Sequence, residues 1–278
     1  MGQTATSPDL SLAQRKDYSV RFFSQEDILT KQNQPMHPIS MSGDINGDGF
    51  HDVAIGATFA DGTDTNMGKV YLIYGSASFQ DLPNTDLSLP NPSDVDVTFL
   101  GPHKDGHAGY STVIVPDING DGIDDLLIGS YNPNTSTGGP VYLIYGVKDG
   151  AFSALNGKTF DLTLSDAILN TATSGSDGFG ESIVGLGDIN GDGFGDFAIG
   201  APKANTTKGA YYLYYGGEAT PHTAKIPSEN SYSAILSGDT PHDSLKQSIQ
   251  SLGDVNGDLL MDFGVSDPAH NINIGRVF

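Results

Sequence analysis

Aspartate and asparagine recur in this chain at one spacing. Asp44, Asn46, Asp48 and Asp52 stand at positions 1, 3, 5 and 9 of DINGDGFHD. The same positions hold Asp117, Asn119, Asp121 and Asp125, then Asp188, Asn190, Asp192 and Asp196, then Asp254, Asn256, Asp258 and Asp262. Four oxygen-bearing side chains within nine residues repel one another unless a cation sits among them. Oxygen donors of this kind suit Ca²⁺, which accepts six to eight oxygens at flexible geometry, better than Mg²⁺, which demands a strict octahedron. Glycines at positions 4 and 6 let the backbone turn through positive φ around an ion, and the carbonyl at position 7, Phe50 in the first copy, is a natural fifth donor. A solvated turn uses the same residue types, but four copies at matched spacing favour the ion. The copies start 73, 71 and 66 residues apart, and such a period fixes an architecture before any local reading does.

The flanking residues say what carries the loops. A helix–loop–helix calcium site would need a bidentate Glu at position 12. That position is Ile55, Ile128, Ile199 and Val265. Short, β-rich apolar runs stopped by Gly or Ser follow position 9 (VAIG, LLIG, FAIG, FGVS), which predicts buried strands. The loop therefore joins strand to strand. A third strand recurs as Lys69–Gly75, Val141–Gly146 and Ala210–Gly216, rich in Tyr, and a fourth is expected at 95–100, 166–170 and 232–236. Four antiparallel strands repeated radially make a β-propeller blade. The fold class is thus all-β, with blades expected at 39–100, 109–170, 179–236 and 245–278, the last incomplete. Residues 1–17 are expected to be disordered or extended, and Tyr18–Phe23 to form a strand. The Tyr stripe could stack on sugar, but its recurrence favours packing between blades.

A strand, then D-x-N-x-D-G-x-x-D, then a strand ending in Gly-Ala-Pro resembles the FG-GAP repeat of integrin alpha-subunit β-propellers. Copy three matches best, with Phe179-Gly180 ahead of its loop and Gly200-Ala201-Pro202 behind it. Copy one has Pro35-Met36 for Phe-Gly but keeps Gly56-Ala57, and copy two has Ala108-Gly109 and Gly129-Ser130. Copy four has Leu245-Lys246 and places Leu259 at position 6, where a left-handed bend is expected, so its site should be the weakest. The resemblance implies one Ca²⁺ per loop, held by positions 1, 3, 5 and 9 and by the carbonyls of Phe50, Ile123, Phe194 and Leu260. It also implies seven blades, or roughly 490 residues at this period, so a piece of a longer propeller is expected in preference to a closed four-bladed ring.

Composition sets bounds. The chain has 278 residues, 36 of them Gly, and a net charge of −21 from 34 acidic against 13 basic residues. The acidity is partly a metal signature, and it argues against nucleic acid and anionic membranes as partners. Without Cys there is no disulfide, thiolate site or thiol nucleophile. Calcium can replace disulfides as a staple where it is millimolar, so an extracellular or cell-surface location is expected. No apolar run reaches the length of a membrane span, and no signal peptide is visible, although Met1-Gly2 through Thr6 fits a short myristoylation pattern. No G-x-S-x-G, H-E-x-x-H or P-loop appears, so the chain is not expected to be an enzyme.

Topology sorts the loops onto two faces. The Asp loops, joining first to second strands, share one face. Thr58–Met67, Tyr131–Gly139, Pro202–Lys208 and Asp267–Asn273 lie on the other, with His103–Ala108, Ser174–Gly178 and Gly238–Asp243. They vary between units as recognition loops do, and in integrins the ligand-binding face is the one away from the calcium loops, so a protein or glycan ligand is expected there. His103, Lys104, Asp105 and His107 are the most polar group on it, expected to be a solvated loop more than a transition-metal site. Asn134 and Asn205 begin glycosylation sequons. The expected role is a calcium-binding adhesion or recognition module. The alternative is the non-catalytic propeller of a larger secreted hydrolase or phospholipase.

Overall fold

The computed structural model describes residues 20–24, 39–77, 85–89, 95–132, 137–152, 158–170, 177–204, 208–217, 232–238, 249–267 and 276–277. The expected N-terminal segment, both sequons, Pro35-Met36, Leu245-Lys246 and much of the loops after Pro202, Asp267 and Gly238 lie outside these residues.

The chain opens with β1 (Val20–Ser24). Repeat 1 contributes β2 (Ile39–Gly43), β3 (Asp52–Ala57), β4 (Lys69–Ile73), β5 (Thr85–Leu89) and β6 (Val97–Leu100). Repeat 2 contributes β7 (Ala108–Val115), β8 (Asp125–Asn132), β9 (Thr137–Ile144), β10 (Thr159–Asp161) and β11 (Ala167–Leu169). Repeat 3 holds β12 (Ser182–Gly187), β13 (Asp196–Ala201), β14 (Ala210–Tyr214) and β15 (Ala234–Ser237), and repeat 4 holds β16 (Ile249–Gly253), β17 (Asp262–Asp267) and β18 (Arg276–Val277). Each repeat pairs its strands in sequence order and antiparallel, as β2-β3-β4-β6, β7-β8-β9-β11, β12-β13-β14-β15 and β16-β17-β18.

Two pairings depart from the expected four-strand unit. β10 leaves repeat 2 and adds to the outer edge of β6 in parallel, making sheet 1 five-stranded. β1 pairs in parallel with β5. Among the described residues no sheet closes on itself.

The sheets stack face to face, and alternation along each strand decides what goes where. In β9, Val141 and Leu143, with Tyr145 just past its end, point into a core shared with Phe179, Phe197, Ile199, Tyr212 and Tyr214 of repeat 3. The intervening Tyr142 and Ile144 point into a second core with Ala54, Val70, Leu72 and Phe99 of repeat 1. Strands buried on both faces read as continuous apolar runs, which is what VAIG, LLIG and FAIG are. The Tyr stripe is packing: Tyr71, Tyr142, Tyr211 and Tyr214 are each at most 2% exposed. Phe197 and Tyr214 stack at 5.0 Å between ring centroids.

The glycines of the Gly-Ala-Pro and Phe-Gly positions meet between sheets. A Cβ on Gly56 would stand 2.1 Å from the carbonyl oxygen of Gly109, and one on Gly129 would stand 2.6 Å from that of Gly180. Gly109 and Gly180 themselves have φ of 86° and 83°. The two halves of the motif are one contact, in which backbone packs on backbone because neither residue has a side chain. The first strands of repeats 2 to 4 line a groove of about 610 Å³, with Ile114, Val184, Leu186 and Gln250 among its walls.

Candidate metal centre

All four Asp loops sit between the first and second strands of their sheets, hence at the same end of each. Their internal hydrogen bonds repeat. The position-1 carboxylate accepts the N–H groups of positions 5 and 6: Asp48 and Gly49 to Asp44, Asp121 and Gly122 to Asp117, Asp192 and Gly193 to Asp188, Asp258 and Leu259 to Asp254, at 2.7–3.2 Å. Position 3 accepts the N–H of position 5, and position 5 accepts that of position 7. This is Asx-turn chemistry, in which a side-chain oxygen substitutes for a backbone acceptor and bends the chain around itself. The bend runs through positive φ at Gly47 and Gly49, Gly120 and Gly122, Gly191 and Gly193, and Gly257. Leu259 adopts φ 72° at the position glycine holds elsewhere, and it is 86% exposed. The left-handed bend expected there is present and carried by the wrong residue for it.

Position 9 does a second job. Asp52 accepts from Ile45 N at 2.8 Å and, at its other oxygen, from Gly75 N at 2.8 Å. Asp125 does the same with Ile118 and Gly146, and Asp196 with Ile189 and Gly216. Each carboxylate pins its own loop to the end of the third strand, and all three are wholly buried. Burial pushes Asp52 and Asp196 each up to about 6, while the two N–H donors pull the other way and the neighbouring loop carboxylates add to the rise. Burial holds Asp125 well above the ordinary carboxylate range.

The donor set fits a hard divalent cation. Among the described residues these carboxylates are held by backbone N–H and Asn amide groups, with no lysine or arginine among their hydrogen-bond donors. Among the described residues, the charge of three aspartates per loop is thus met by no lysine or arginine hydrogen bond. Each oxygen that accepts one N–H keeps a lone pair for an ion. Among the described residues, no three acidic or imidazole groups are already gathered closely enough to hold an ion as they stand. The side chains of Asp44, Asn46, Asp48 and Asp52, their counterparts in the other loops, and the position-7 carbonyls would hold the ion, and its charge would reverse the upward push on position 9.

Two sets of residues were not legible as site residues. The third strand's last N–H is capped from the fourth strand: Tyr74 N by Asp96, Tyr145 N by Asp166 and Tyr215 N by Ser233, at 2.8–3.0 Å. Asp124, at position 8 of the second loop, accepts from Asp44 N at 2.8 Å, 80 residues away. The only sequence signal for Asp124 is an aspartate where the other copies have His51, Gly195 and Met261.

At the opposite end, two connections are zipped together. Asp105 N donates to Thr65 O, His107 N to Asn66 O, and the Asn66 amide to Asp105 at 2.8 Å. His103, Lys104 and Asp105 are exposed, but His107 is buried, which corrects the expectation of a wholly solvated loop. Its ring meets Phe59 edge-on at 5.1 Å, and burial pushes its pKa down. Beside it lies a cavity of about 110 Å³, with Met67, His103, Asp105, Asn132 and Tyr142 in its wall.

A model of the FG-GAP repeat matches the chain at residues 39–73, 108–144 and 179–215. Each match runs through one Asp loop and the strands around it, and the fourth loop lies outside all three. Phosphatidylinositol-glycan-specific phospholipase D of Bos taurus is 30% identical over 192 residues, covering 66% of this chain and 21% of that protein. Integrin alpha-4 of Xenopus laevis is 39% identical over 121 residues, 42% of this chain and 11% of that one. Integrin alpha-5 of Xenopus laevis is 31% identical over 225 residues, 77% of this chain and 19% of that one. The chain thus spans about a tenth to a fifth of the length of these curated relatives. No helix among the described residues is long and apolar enough to cross a membrane. With three matched repeats, each centred on an Asp loop between paired strands, the chain is an FG-GAP repeat protein similar to integrin alpha subunits and to phosphatidylinositol-glycan-specific phospholipase D.

Proposed function

We propose that this chain is a calcium-stabilised stretch of an extracellular β-propeller, whose loops away from the calcium sites meet a protein or glycan in adhesion or recognition. The observation that carries the reading is the recurrence, at one end of successive face-to-face sheets, of loops with three carboxylates that, among the described residues, no lysine or arginine holds. Bound there, a divalent ion supplies positive charge and ties together residues up to eight positions apart. The chain's own part is to present the oxygens and to transmit the loop's rigidity to the third strand through Asp52, Asp125 and Asp196. On the opposite end, the zipped segments 58–67 and 101–108 form a built surface next to a small cavity.

Two measurements test this. Calcium titration of the metal-free protein should give binding in at least three loops, together with a higher Tm. A pull-down and a glycan array at millimolar Ca²⁺ should then find a ligand whose capture is lost when the exposed residues of 61–65 and 103–105 are exchanged. A Tm indifferent to Ca²⁺ would overturn the reading. The similarity to phosphatidylinositol-glycan-specific phospholipase D supports a second reading equally: a non-catalytic propeller portion of a secreted hydrolase. Extending the sequence in both directions separates the two, since a hydrolase portion in the same polypeptide supports the second.

A further inference from the structure

Among the described residues, each of the first three Asp loops is fastened to the next repeat by a recurring bond. Asp124 N donates to Asp44 O at 3.1 Å, Gly195 N to Asp117 O at 2.7 Å, and Met261 N to Asp188 O at 2.9 Å. In each case the acceptor is position 1 of one loop and the donor is position 8 of the following loop, directly before its position-9 carboxylate. A second bond backs up the first two junctions. Val147 N donates to Ile45 O at 3.0 Å and Gly217 N to Ile118 O at 2.9 Å. Those donors follow Gly146 and Gly216, whose own N–H groups are held by Asp125 and Asp196. A Cβ on Gly146 would lie 2.1 Å from Asp124 O and 3.0 Å from Ile45 O, so the strand end is wedged between both loops.

Burial follows the same fastening. Position 2 is 0% exposed at Ile45 and 1% at Ile118, partly buried at Ile189, and 68% exposed at Val255. Asn46 and Asn119 are buried at position 3, whereas Asn190 and Asn256 are exposed. A loop is thus enclosed by the repeat that follows it, and the first junction is the most tightly closed. There the Asp124 carboxylate also receives Asp44 N, making a reciprocal pair, and Asp149 N reaches Asn46 O at 2.7 Å.

We propose that the Asp loops bind calcium as a coupled row: an ion fixed in one loop favours the ion in its neighbour through the bond from position 8 to position 1, most strongly between loops 1 and 2. The inference rests on the calcium reading above and extends it from four sites to an interacting set. An ion on Asp44 orders the carbonyl to which Asp124 N is tied, and Asp124 is contiguous with Asp125, a ligand of the next site. Coupling of this kind is reciprocal, and in a linear array it runs chiefly between nearest neighbours.

The test reads one loop while its neighbours are disabled. Phe50, 38% exposed at position 7 of loop 1, becomes the chain's single tryptophan as Phe50→Trp, so that Tb³⁺ bound in that loop luminesces by energy transfer when excited at wavelengths tyrosine does not absorb. Tb³⁺ is titrated into the full chain carrying Phe50→Trp, then with Asp121→Asn added in loop 2, then with Asp192→Asn in loop 3 instead. Both aspartates are exposed, so folding should survive, and far-UV circular dichroism checks it. Coupling requires Asp121→Asn to weaken the loop 1 signal about fivefold or more, the low end for linked sites. Asp192→Asn, with equal loss of charge one loop further on, should shift it less than twofold. The first shift should persist at about 0.5 M KCl, where screening confines fields between exposed charges to a few ångströms. A loop 1 midpoint indifferent to Asp121→Asn, or a shift abolished by salt, overturns the coupling and leaves the calcium reading standing. No Tb³⁺ signal in Phe50→Trp, with a Tm indifferent to Ca²⁺, overturns both.

Discussion

Three buried aspartates set the charge behaviour of the molecule. Asp52, Asp125 and Asp196 have pKa values raised by burial, two of them to about 6 against an ordinary 3.8. An acid whose folded pKa is raised contributes stability that is fully present below the unfolded value and lost as pH rises through the folded one. In metal-free buffer the Tm should therefore rise as pH falls from 7.5 to 5. His107 works against this, since its lowered pKa gives stability that is present above 6.5 and lost on acidification. With three carboxylates against one imidazole, the carboxylates should set the sign. In millimolar Ca²⁺ the slope should invert, because the ion needs ionised ligands and protons compete with it. Paired scanning calorimetry across that range checks both slopes, and parallel curves would contradict this assignment of position 9. Leu259 provides a separate test. Its left-handed φ costs about 1–2 kcal/mol, while glycine loses more chain entropy on folding. Leu259→Gly should still stabilise the chain by about 0.5–1 kcal/mol, read as a higher urea midpoint.

Among the elements, the glycine contacts between sheets should be the least tolerant of change. A Cβ on Gly129 would meet Ser111 Oγ at 2.1 Å as well as Gly180 O, neither with room to retreat in a packed interface. Gly129→Ala should cost about 1–3 kcal/mol, the usual range for overpacking. Gly217→Ala, where a Cβ meets nothing within 4 Å, should change stability by less than about 0.5 kcal/mol. Urea denaturation of the two variants compares them directly. These contacts also show how far the sequence could be read. The Asp spacing and the apolar run after it located the loops and the strands on either side, because turn chemistry and short continuous apolar runs are local. The Gly-Ala-Pro and Phe-Gly positions were visible as a pattern, but their reason lies between repeats about 50 residues apart, which no local period encodes. β10 escaped for the same cause: Phe160 and Leu162 look like scattered apolar residues in a loop until β6 gives them a sheet edge and repeat 1 gives them a core. Asp124 gives no local signal because its partner is 80 residues away.

For the molecule as a whole, stability should be graded along the row. Repeats 1, 2 and 3 are joined by two extensive cores, in which strands such as β9 are buried on both faces. Repeats 3 and 4 share a smaller one, built on Leu186, Ala198, Tyr211, Leu213, Ile249 and Val265. Around loop 4 the large apolar side chains are turned outward, with Leu252 52% and Met261 39% exposed besides Val255 and Leu259. In an array where each unit is held by its neighbours, opening begins where the nearest-neighbour contribution is least. Removing calcium should deepen that gradient, because loop 4 has the most exposed ligands and, among the described residues, no following loop fastened to it. Hydrogen exchange on the metal-free chain should therefore show β16 and β17 exchanging first, β12 to β14 next, and β8 and β9 last. Added calcium should slow exchange in all of them. Uniform exchange along the row, or first opening at β8, would mean that the sheets are stabilised independently and that the stacking described here does not govern how the molecule comes apart.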